Sequence, residues 1–422
     1  MTFFKHKFGR AKNIVSDNKK VVENYFLMTS LQVVGSFIGL LVFPYVIRAL
    51  GAEAYGLFVF ANSVAAYFII FISFGFTTPA LKAISQNADN LEIKNDVVST
   101  IFTAKVYISL VVMLIYACLL FFVPFFRQNI FLFLICFSLI IPEIFFPQWY
   151  FQGIQKMRIV TYIHLFFRLL TIPFIFIFVK NPADLHIYAI IVTSASVLGA
   201  LVCAVYMKTK ENITLRFVPF RKLKAYFKSA LPFFLSNSAG TIKEESATLL
   251  IGVFFNMRDV ALYDLARKII LIPRMFTANI NKAIFPKFIK DVRSKESVRK
   301  LIKYEALLGF LIMVLIAVFG YWIVLFMGGK DMLLSYPLAV ILSFTIVAWL
   351  VVGCYNHYVF IPIEKYYYIT RNQTVGLVSF FVFCIPALFV FNSVYPVVSS
   401  LALSGLFQIL YCKHIAKKNN YL

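Results

Sequence analysis

Apolar segments of about 20 residues or more follow one another along the chain, and only short polar connections separate them. We predict about twelve, at 24–48, 56–80, 98–123, 129–150, 159–179, 185–206, 230–255, 260–284, 304–327, 337–361, 368–391 and 394–412. A bilayer offers no water to exposed backbone groups, so each segment should cross it as a helix. Hydrophobic residues make up 61% of the 422 residues, more than a soluble fold can bury. The sequence therefore predicts an all-α polytopic membrane protein.

The 41 lysines and arginines are unevenly distributed over the connections. If the N-terminus is inside, most basic residues fall on inside connections, and the outside ones hold only Arg48, Arg127, Lys180, Arg258 and Lys330. We therefore expect both termini to lie in the cytoplasm. This distribution also accounts for most of the net charge of +23, which marks topology and the anionic inner leaflet rather than nucleic-acid binding.

The longest inside connection divides the apolar segments into two equal sets. The predicted units are a six-helix bundle over 1–206, a cytoplasmic linker with an interfacial helix over 207–229, and a second six-helix bundle over 230–422. Two short similarities link the halves: "AEAYGL" (52–57) with "VALYDL" (260–265), and "FQGIQK" (151–156) with "FIPIEK" (360–365). These matches predict parallel repeats about an axis along the membrane normal, with a central cavity between the bundles.

Charged residues inside the apolar segments point to that cavity. There are six basic residues and four acidic ones: Lys105, Arg168, Lys243, Arg267, Lys268, Arg274, Glu143, Glu244, Glu245 and Asp264. At the centre of a membrane helix each costs roughly 2.5–3.5 kcal/mol. Most must therefore face a hydrated cavity or one another.

Two interpretations of these charges stay open. In the first, Arg168, Lys243, Arg267, Arg274, Lys105 and Lys268 give a cavity a cationic character suited to a phosphate or pyrophosphate group. Glu244, Glu245 and Asp264 are then candidates for ion coupling, because a buried carboxyl can titrate near neutral pH. In the second, the charges are interhelical ion pairs that fix packing, and Lys105 extends towards the cytoplasmic surface. We expect no cofactor, and there is no C-x-x-C or H-E-x-x-H motif to suggest a metal site.

Three segments resemble Wzx-type O-antigen flippases and related polysaccharide transporters: "FPYVIRALGAEAYGLFVFANSV" (43–64), "WYFQGIQKMR" (149–158) and "LKAYFKSALPFFLSNSAGTI" (223–242). The resemblance implies the fold of the multidrug/oligosaccharidyl-lipid/polysaccharide transporter superfamily, with two six-helix bundles around an alternating cavity. It also implies a substrate, undecaprenyl-pyrophosphate-linked oligosaccharide, moved from the inner to the outer leaflet of the bacterial inner membrane. A polysaccharide polymerase is a further implied partner.

Two other functions are alternatives to a flippase. A drug or organic-ion exporter of the same superfamily would favour acidic sites, whereas basic residues outnumber acidic ones in these segments. A membrane polysaccharide polymerase would be an enzyme, but the chain has no D-x-D motif and no long outside loop for a catalytic site. We therefore expect a transporter and not an enzyme.

Overall fold

The computed structural model describes residues 19–291 and 295–422, with the side chains of 34, 35, 37–277 and 295–422. We number its α-helices α1 to α15. They are α1 Lys19–Ser73, α2 Thr77–Gln86, α3 Leu91–Phe122, α4 Pro124–Gln128, α5 Ile130–Phe137, α6 Ile140–Phe145, α7 Gln148–Gly153, α8 Met157–Phe178, α9 Leu185–Lys210, α10 Phe220–Phe254, α11 Met257–Asp291, α12 Lys295–Gly328, α13 Ser335–Tyr355, α14 Tyr366–Val390 and α15 Tyr395–Lys418. Short 3₁₀ turns at Pro182–Asp184 and Lys330–Met332 and a π-helical turn at Asn356–Phe360 complete the elements.

The predicted fold class is confirmed. Nine helical stretches of the described chain are long and apolar enough to cross a membrane. The first of them, Phe37–Ser73, contains Gly51 with φ +76° and ψ 163°, which ends one helix and begins the next. Helices α10 and α11, each of 35 residues, carry the charges of the seventh and eighth predicted segments. With these, every predicted segment has its helix.

Three segments differ from their predicted outlines. The fourth consists of three short helices, α5 to α7, because Pro142 and Pro147 supply no backbone N–H to continue a helix. The second ends at Ser73 rather than near residue 80, and Gly75 in the following turn has φ +69°. The predicted interfacial helix is not separate from the seventh segment, since α10 runs unbroken from Phe220 to Phe254.

The start of α10 packs on the protein along one apolar face. Leu223 is fully buried, and the partly buried rings of Tyr226 and Phe227 share its cluster. Phe227 contacts Phe74 and Phe76, with ring centroids 4.9 and 5.4 Å apart. This apolar contact holds the first turns of α10 against the end of α1.

The turns after the fourth and tenth predicted segments have the same geometry. Gln155 and Glu364 both adopt a left-handed backbone, each with φ 57°. In each turn the next residue donates its N–H to the carbonyl five positions back, over 2.9 Å for Lys156 and 3.0 Å for Lys365. This is the hydrogen bond of a Schellman helix end. The turns occupy matched positions of "FQGIQK" and "FIPIEK", so the sequence similarity extends to local structure.

Helix α10 also packs along the second part of α1. A Cβ at Gly252 would lie 2.3 Å from Cδ2 of Phe60, so only glycine admits that ring. Further along, the Tyr67 hydroxyl contacts Ser246 Oγ, and it donates to the carbonyl of Ile242 over 3.3 Å. The two predicted halves are therefore in close contact along one side.

The connection between α9 and α10 lies along α3. Three polar side chains of α3, spaced one helical turn apart, accept backbone N–H groups from alternate residues of this connection. The Thr214 N–H donates to Asn95 over 2.8 Å, the Arg216 N–H to Ser99 over 3.2 Å, and the Val218 N–H to Thr103 over 3.2 Å. Below we call residues 212–219 the strap. It is attached to the N-terminal half, whereas α10 begins the C-terminal half.

Candidate functional site

A cavity of about 790 Å³ lies among α10, α11, α13, α14 and α15. The described residues that line it all lie between Gly240 and Gln408, in the C-terminal half, whereas the sequence predicts a cavity between the two bundles. Its charged lining residues are Lys243, Glu244, Asp264, Arg267, Lys268 and Arg274. Four of the six basic residues predicted as a site are therefore together in one cavity.

The charges occupy one wall of this cavity. All six charged lining residues come from α10 and α11. The described lining residues from α13, the π turn, α14 and α15 include none that is charged; their polar members include Thr345, Trp349, Asn356, Gln373 and Gln408. The two walls meet where Arg274 Nη2 donates to Thr345 Oγ1 over 2.6 Å.

The adjacent charges of α10 point to different helices, as three consecutive residues on a helix must. Lys243 Nζ donates to Gln408 Oε1 of α15 over 3.2 Å. Glu244 accepts from Arg274 Nη1 over 3.3 Å, and Glu245 accepts from Arg267 Nη2 over 3.0 Å. The structure thus has Lys243 in the cavity wall and both glutamates paired with arginines of α11.

Asp264 and Lys268, one turn apart on α11, form an ion pair, and both are hydrogen-bonded to Tyr55 of the N-terminal half. The Tyr55 hydroxyl donates to Asp264 Oδ2 over 2.8 Å, and Lys268 Nζ donates to the Tyr55 oxygen over 2.7 Å. Lys268 Nζ also lies 5.1 Å from the ring centroid of Phe43. This polar contact joins α1 to α11.

Lys105 and Arg168 lie outside the lining of the cavity. Lys105 is only 5% exposed, and its Nζ is 2.6 Å from Glu143 Oε1, so it does not extend to the surface. The Arg168 side chain is exposed and lies against Gly35, where a Cβ would come within 1.9 Å of Nη1. The structure thus gives Lys105 a carboxylate partner and places Arg168 on α8 beside α1.

Both interpretations of the charges describe part of the structure. Four basic residues are paired with the four predicted carboxylates: Lys105, Arg267, Lys268 and Arg274. Within the described chain, Lys243 and Arg168 have no carboxylate partner. Four of the basic residues also line a cavity, so pairing and cavity coexist.

Sequence reasoning missed the uncharged members of the site. Tyr55 could have been noticed, because it stands in the repeated "AEAYGL" segment. Thr345, Trp349 and Gln408 carry no comparable signal, since single polar or aromatic residues are common in membrane helices. Only the packing of α13 and α15 against α10 and α11 identifies them.

Residues 21–292 match the model of a protein family described as "Polysaccharide biosynthesis protein", which covers more than half of the chain. The chain belongs to this family. Two curated proteins named "Putative O-antigen transporter" are similar to it. The one from Escherichia coli (strain K12) is 23% identical over 248 residues, and the one from Shigella dysenteriae is 22% identical over 258 residues. Each match covers 59% of this chain and 60% or 63% of the relative, so the chain spans somewhat under two thirds of the relatives' length.

Solved structures show the same fold over almost the whole chain. One titled "Lipid II flippase MurJ, inward closed conformation" has a TM-score of 0.65 at 14% identity and covers 93% of this chain and 87% of its own. An inward-facing multidrug resistance MATE family transporter of the MOP superfamily has a TM-score of 0.58 at 15% identity, with 91% and 98% covered. At these identities the likeness supports the fold and not a particular substrate.

Proposed function

We propose that this family member is a flippase that moves undecaprenyl-pyrophosphate-linked oligosaccharide from the cytoplasmic to the outer leaflet of the bacterial inner membrane. Both termini lie in the cytoplasm in this proposal, as the distribution of basic residues indicates. The names of the two similar proteins and of the family support a polysaccharide precursor as cargo. No bond is made or broken: the two bundles, 1–206 and 230–422, alternate around the cargo.

The observation that carries the proposal is the charged wall of the cavity. Four basic side chains and two carboxylates line it, and Lys243 donates its hydrogen bond to a neutral amide, that of Gln408. An anion that enters can therefore bind Lys243 without breaking an ion pair. Arg274 and Arg267 keep further N–H groups for a phosphate, because a guanidinium has five donors. Arg168, which like Lys243 has no carboxylate partner among the described residues, supplies a further cation from the N-terminal half, beside α1.

Lys105 has a different place in this proposal. Its ammonium donates to both the backbone oxygen and a carboxylate oxygen of Glu143, over 2.7 and 2.6 Å. It lies outside the lining of the cavity, unlike Lys243, Arg267, Lys268 and Arg274, and it contacts cargo only after releasing Glu143, so its contribution is secondary to theirs.

We assign ion coupling to the carboxylates Glu244, Glu245 and Asp264, with Glu244 foremost. Glu244 lines the cavity, its side chain is 48% exposed, and its contact with Arg274 is the longest of the four pairs. An anionic cargo that binds Arg274 competes with Glu244, which frees the carboxylate to take a cation. Binding of cargo and binding of a coupling ion are linked in this way through one arginine.

Export of cationic drugs is the rival function within this fold. It needs a carboxylate free to receive an organic cation, yet Glu244, Glu245 and Asp264 each have a basic partner. The pairing therefore favours anionic cargo.

The proposal is tested by deleting the gene in a strain that makes the oligosaccharide. We expect the lipid-linked oligosaccharide to accumulate on the cytoplasmic leaflet, measured by its protection from an enzyme added outside. A plasmid copy should reverse the accumulation. Normal appearance of the oligosaccharide on the outer leaflet of the deletion strain would refute the flippase.

A further inference from the structure

The uncharged wall of the cavity carries a continuous stripe of cavity-lining residues on α13 and the turn that follows. Thr345, Trp349, Gly353 and Asn356 all line the cavity at spacings of four, four and three. These spacings place them on one helical face, and the stripe is about 16 Å long at 1.5 Å per residue. Thr345 at one end accepts a hydrogen bond from Arg274, so the stripe begins at the charged wall.

Gly353 forms a recess in the middle of the stripe. A Cβ built on Gly353 would meet no atom of the described side chains within 4 Å, so the described part of the chain leaves the space above it open. Trp349, one turn earlier, keeps 39% of its surface exposed and lines the same cavity. An indole face beside an open recess can accept a flat, partly apolar ring.

Asn356 closes the recess on the other side and has unused hydrogen-bonding capacity. Its Oδ1 is buried and has no hydrogen-bond partner among the described residues. Asn356 is the first residue of the π-helical turn Asn356–Phe360. Such turns are rare in proteins overall, but those that occur often lie at functional sites. The terminal torsion of asparagine is soft, so a small rotation presents the amide to the cavity. A buried polar group without a partner is costly, and a ligand hydroxyl would supply the missing bond.

Two further amides belong to the same uncharged wall as this stripe. Gln373 of α14 and Gln408 of α15 line the cavity, and Gln408 Nε2 is 3.4 Å from Gln373 Oε1. Amides both donate and accept, as sugar hydroxyls do, and they are uncharged. A fully anionic ligand would gain less from this wall than from the charged one.

We propose that Trp349, Gly353 and Asn356, with Gln373 and Gln408, form a subsite for an uncharged, hydroxyl-rich ring: the first sugar next to the pyrophosphate. This inference rests on the proposed function and deepens it. The pyrophosphate occupies the wall of α10 and α11, and the sugar extends from Arg274 along α13 towards Asn356. Recognition of the phosphate and of the sugar is thus divided between two walls of one cavity.

The test measures binding of two lipids to the purified full-length protein in nanodiscs. One is undecaprenyl pyrophosphate, and the other is undecaprenyl pyrophosphate that carries a single N-acetylglucosamine. We expect the wild type to bind the second about fivefold more tightly, the effect of about one added hydrogen bond and ring contact.

The decisive variant is Gly353→Leu, which fills the recess. Leucine favours a helix over glycine, and no neighbouring atom opposes its Cβ, so the variant should fold. The matched control is Gly39→Leu, since a Cβ at Gly39 also meets nothing within 4 Å among the described residues and Gly39 lies outside the cavity lining. We expect Gly353→Leu to abolish the fivefold preference and to leave the affinity for undecaprenyl pyrophosphate within about twofold. The control should keep both affinities.

The outcomes separate the two proposals. Loss of the preference in Gly353→Leu and in Asn356→Ala, with binding of the bare lipid retained, supports the subsite. An unchanged preference, an equal loss of both lipids, or no preference in the wild type overturns the subsite while the flippase stands. If the wild type binds neither lipid and Lys243→Met leaves transport unchanged, the flippase proposal itself fails.

Discussion

At the level of single residues, the ten charges in the membrane segments divide into four ion pairs and two cations that have no carboxylate partner among the described residues. Glu245 and Arg267 illustrate the first class: their side chains are 12% and 36% exposed, and they are 3.0 Å apart. Lys243 illustrates the second, since its ammonium donates a hydrogen bond to the neutral amide of Gln408. The two classes should respond differently to substitution, because only in the first does a neutral replacement leave a partner uncompensated.

Glu245→Gln should lower the stability of the protein by about 1–3 kcal/mol, below the range for fully buried pairs because Arg267 is about a third exposed. The reason is that Arg267 keeps its charge and loses its carboxylate. The measurement is the unfolding temperature in detergent. The double variant Glu245→Gln/Arg267→Gln should recover most of the loss, since it removes both charges. If the loss of stability in the double variant equals the sum of the losses in the two single variants, the two side chains are not coupled.

Lys243→Met should leave the unfolding temperature almost unchanged and reduce transport about 10-fold or more. A charge-assisted hydrogen bond to a phosphate is worth about 1.5–3 kcal/mol, which corresponds to that factor. Transport is measured as appearance of the oligosaccharide on the outer leaflet at matched protein levels. Lys243→Arg should keep most of the activity. Full transport by Lys243→Met would remove Lys243 from the site.

At the level of helices, the sequence predicted where each crossing lies and missed how several end. Apolar length alone located the segments, because the bilayer sets a minimum length. The breaks in the fourth segment depend on Pro142 and Pro147, whose effect was not anticipated within an apolar run. The π turn at Asn356 has no signal in the sequence, which does not show how α13 packs against its neighbours. For the same reason the recess at Gly353 could be found only in the structure.

The strap is an element whose attachment can be tested directly. Ser99 Oγ accepts from Arg216 N–H and donates to the carbonyl of Thr214 over 3.1 Å, so Ser99→Ala removes two hydrogen bonds. Lys222, just beyond the strap, is exposed and 2.9 Å from Asp96, and this hydrogen bond and charge raise the pKa of Lys222. Beside the strap, this ion pair also joins the start of α10 to α3.

Ser99→Ala should increase the rate of trypsin cleavage at Arg216 about fivefold or more in inverted membrane vesicles. The loss of two hydrogen bonds, each worth about 0.5–1.5 kcal/mol, raises the population of the detached strap by at least that factor. Ser109→Ala is the control, because the Ser109 hydroxyl donates only within its own helix, to the carbonyl of Val106. Equal cleavage of the two variants would mean that other contacts hold the strap.

At the level of the whole molecule, the proposed alternation of the halves requires the contacts between them to open. Those contacts include the hydrogen bonds of Tyr55 with Asp264 and Lys268, and the packing of Phe60 against Gly252. The division at residues 207–229 remains a prediction, but it places each of these contacts across the two halves. The internal repeat predicted the two bundles; it gave no information on which residues meet between them.

A cross-link between the halves should therefore stop transport, whereas one within a half should not. Phe60→Cys/Gly252→Cys joins α1 to α10 at a site where a ring packs on a glycine. Tyr336→Cys/Gly320→Cys is a matched pair within the C-terminal half, because a Cβ at Gly320 lies 3.1 Å from the Tyr336 ring. After oxidation we expect the first pair to abolish appearance of the oligosaccharide on the outer leaflet and reduction to restore it, with the second pair active throughout. Undiminished transport by the fully cross-linked first pair would show that the halves do not separate along α10, because a bond there holds both walls at one distance through every state of the cycle.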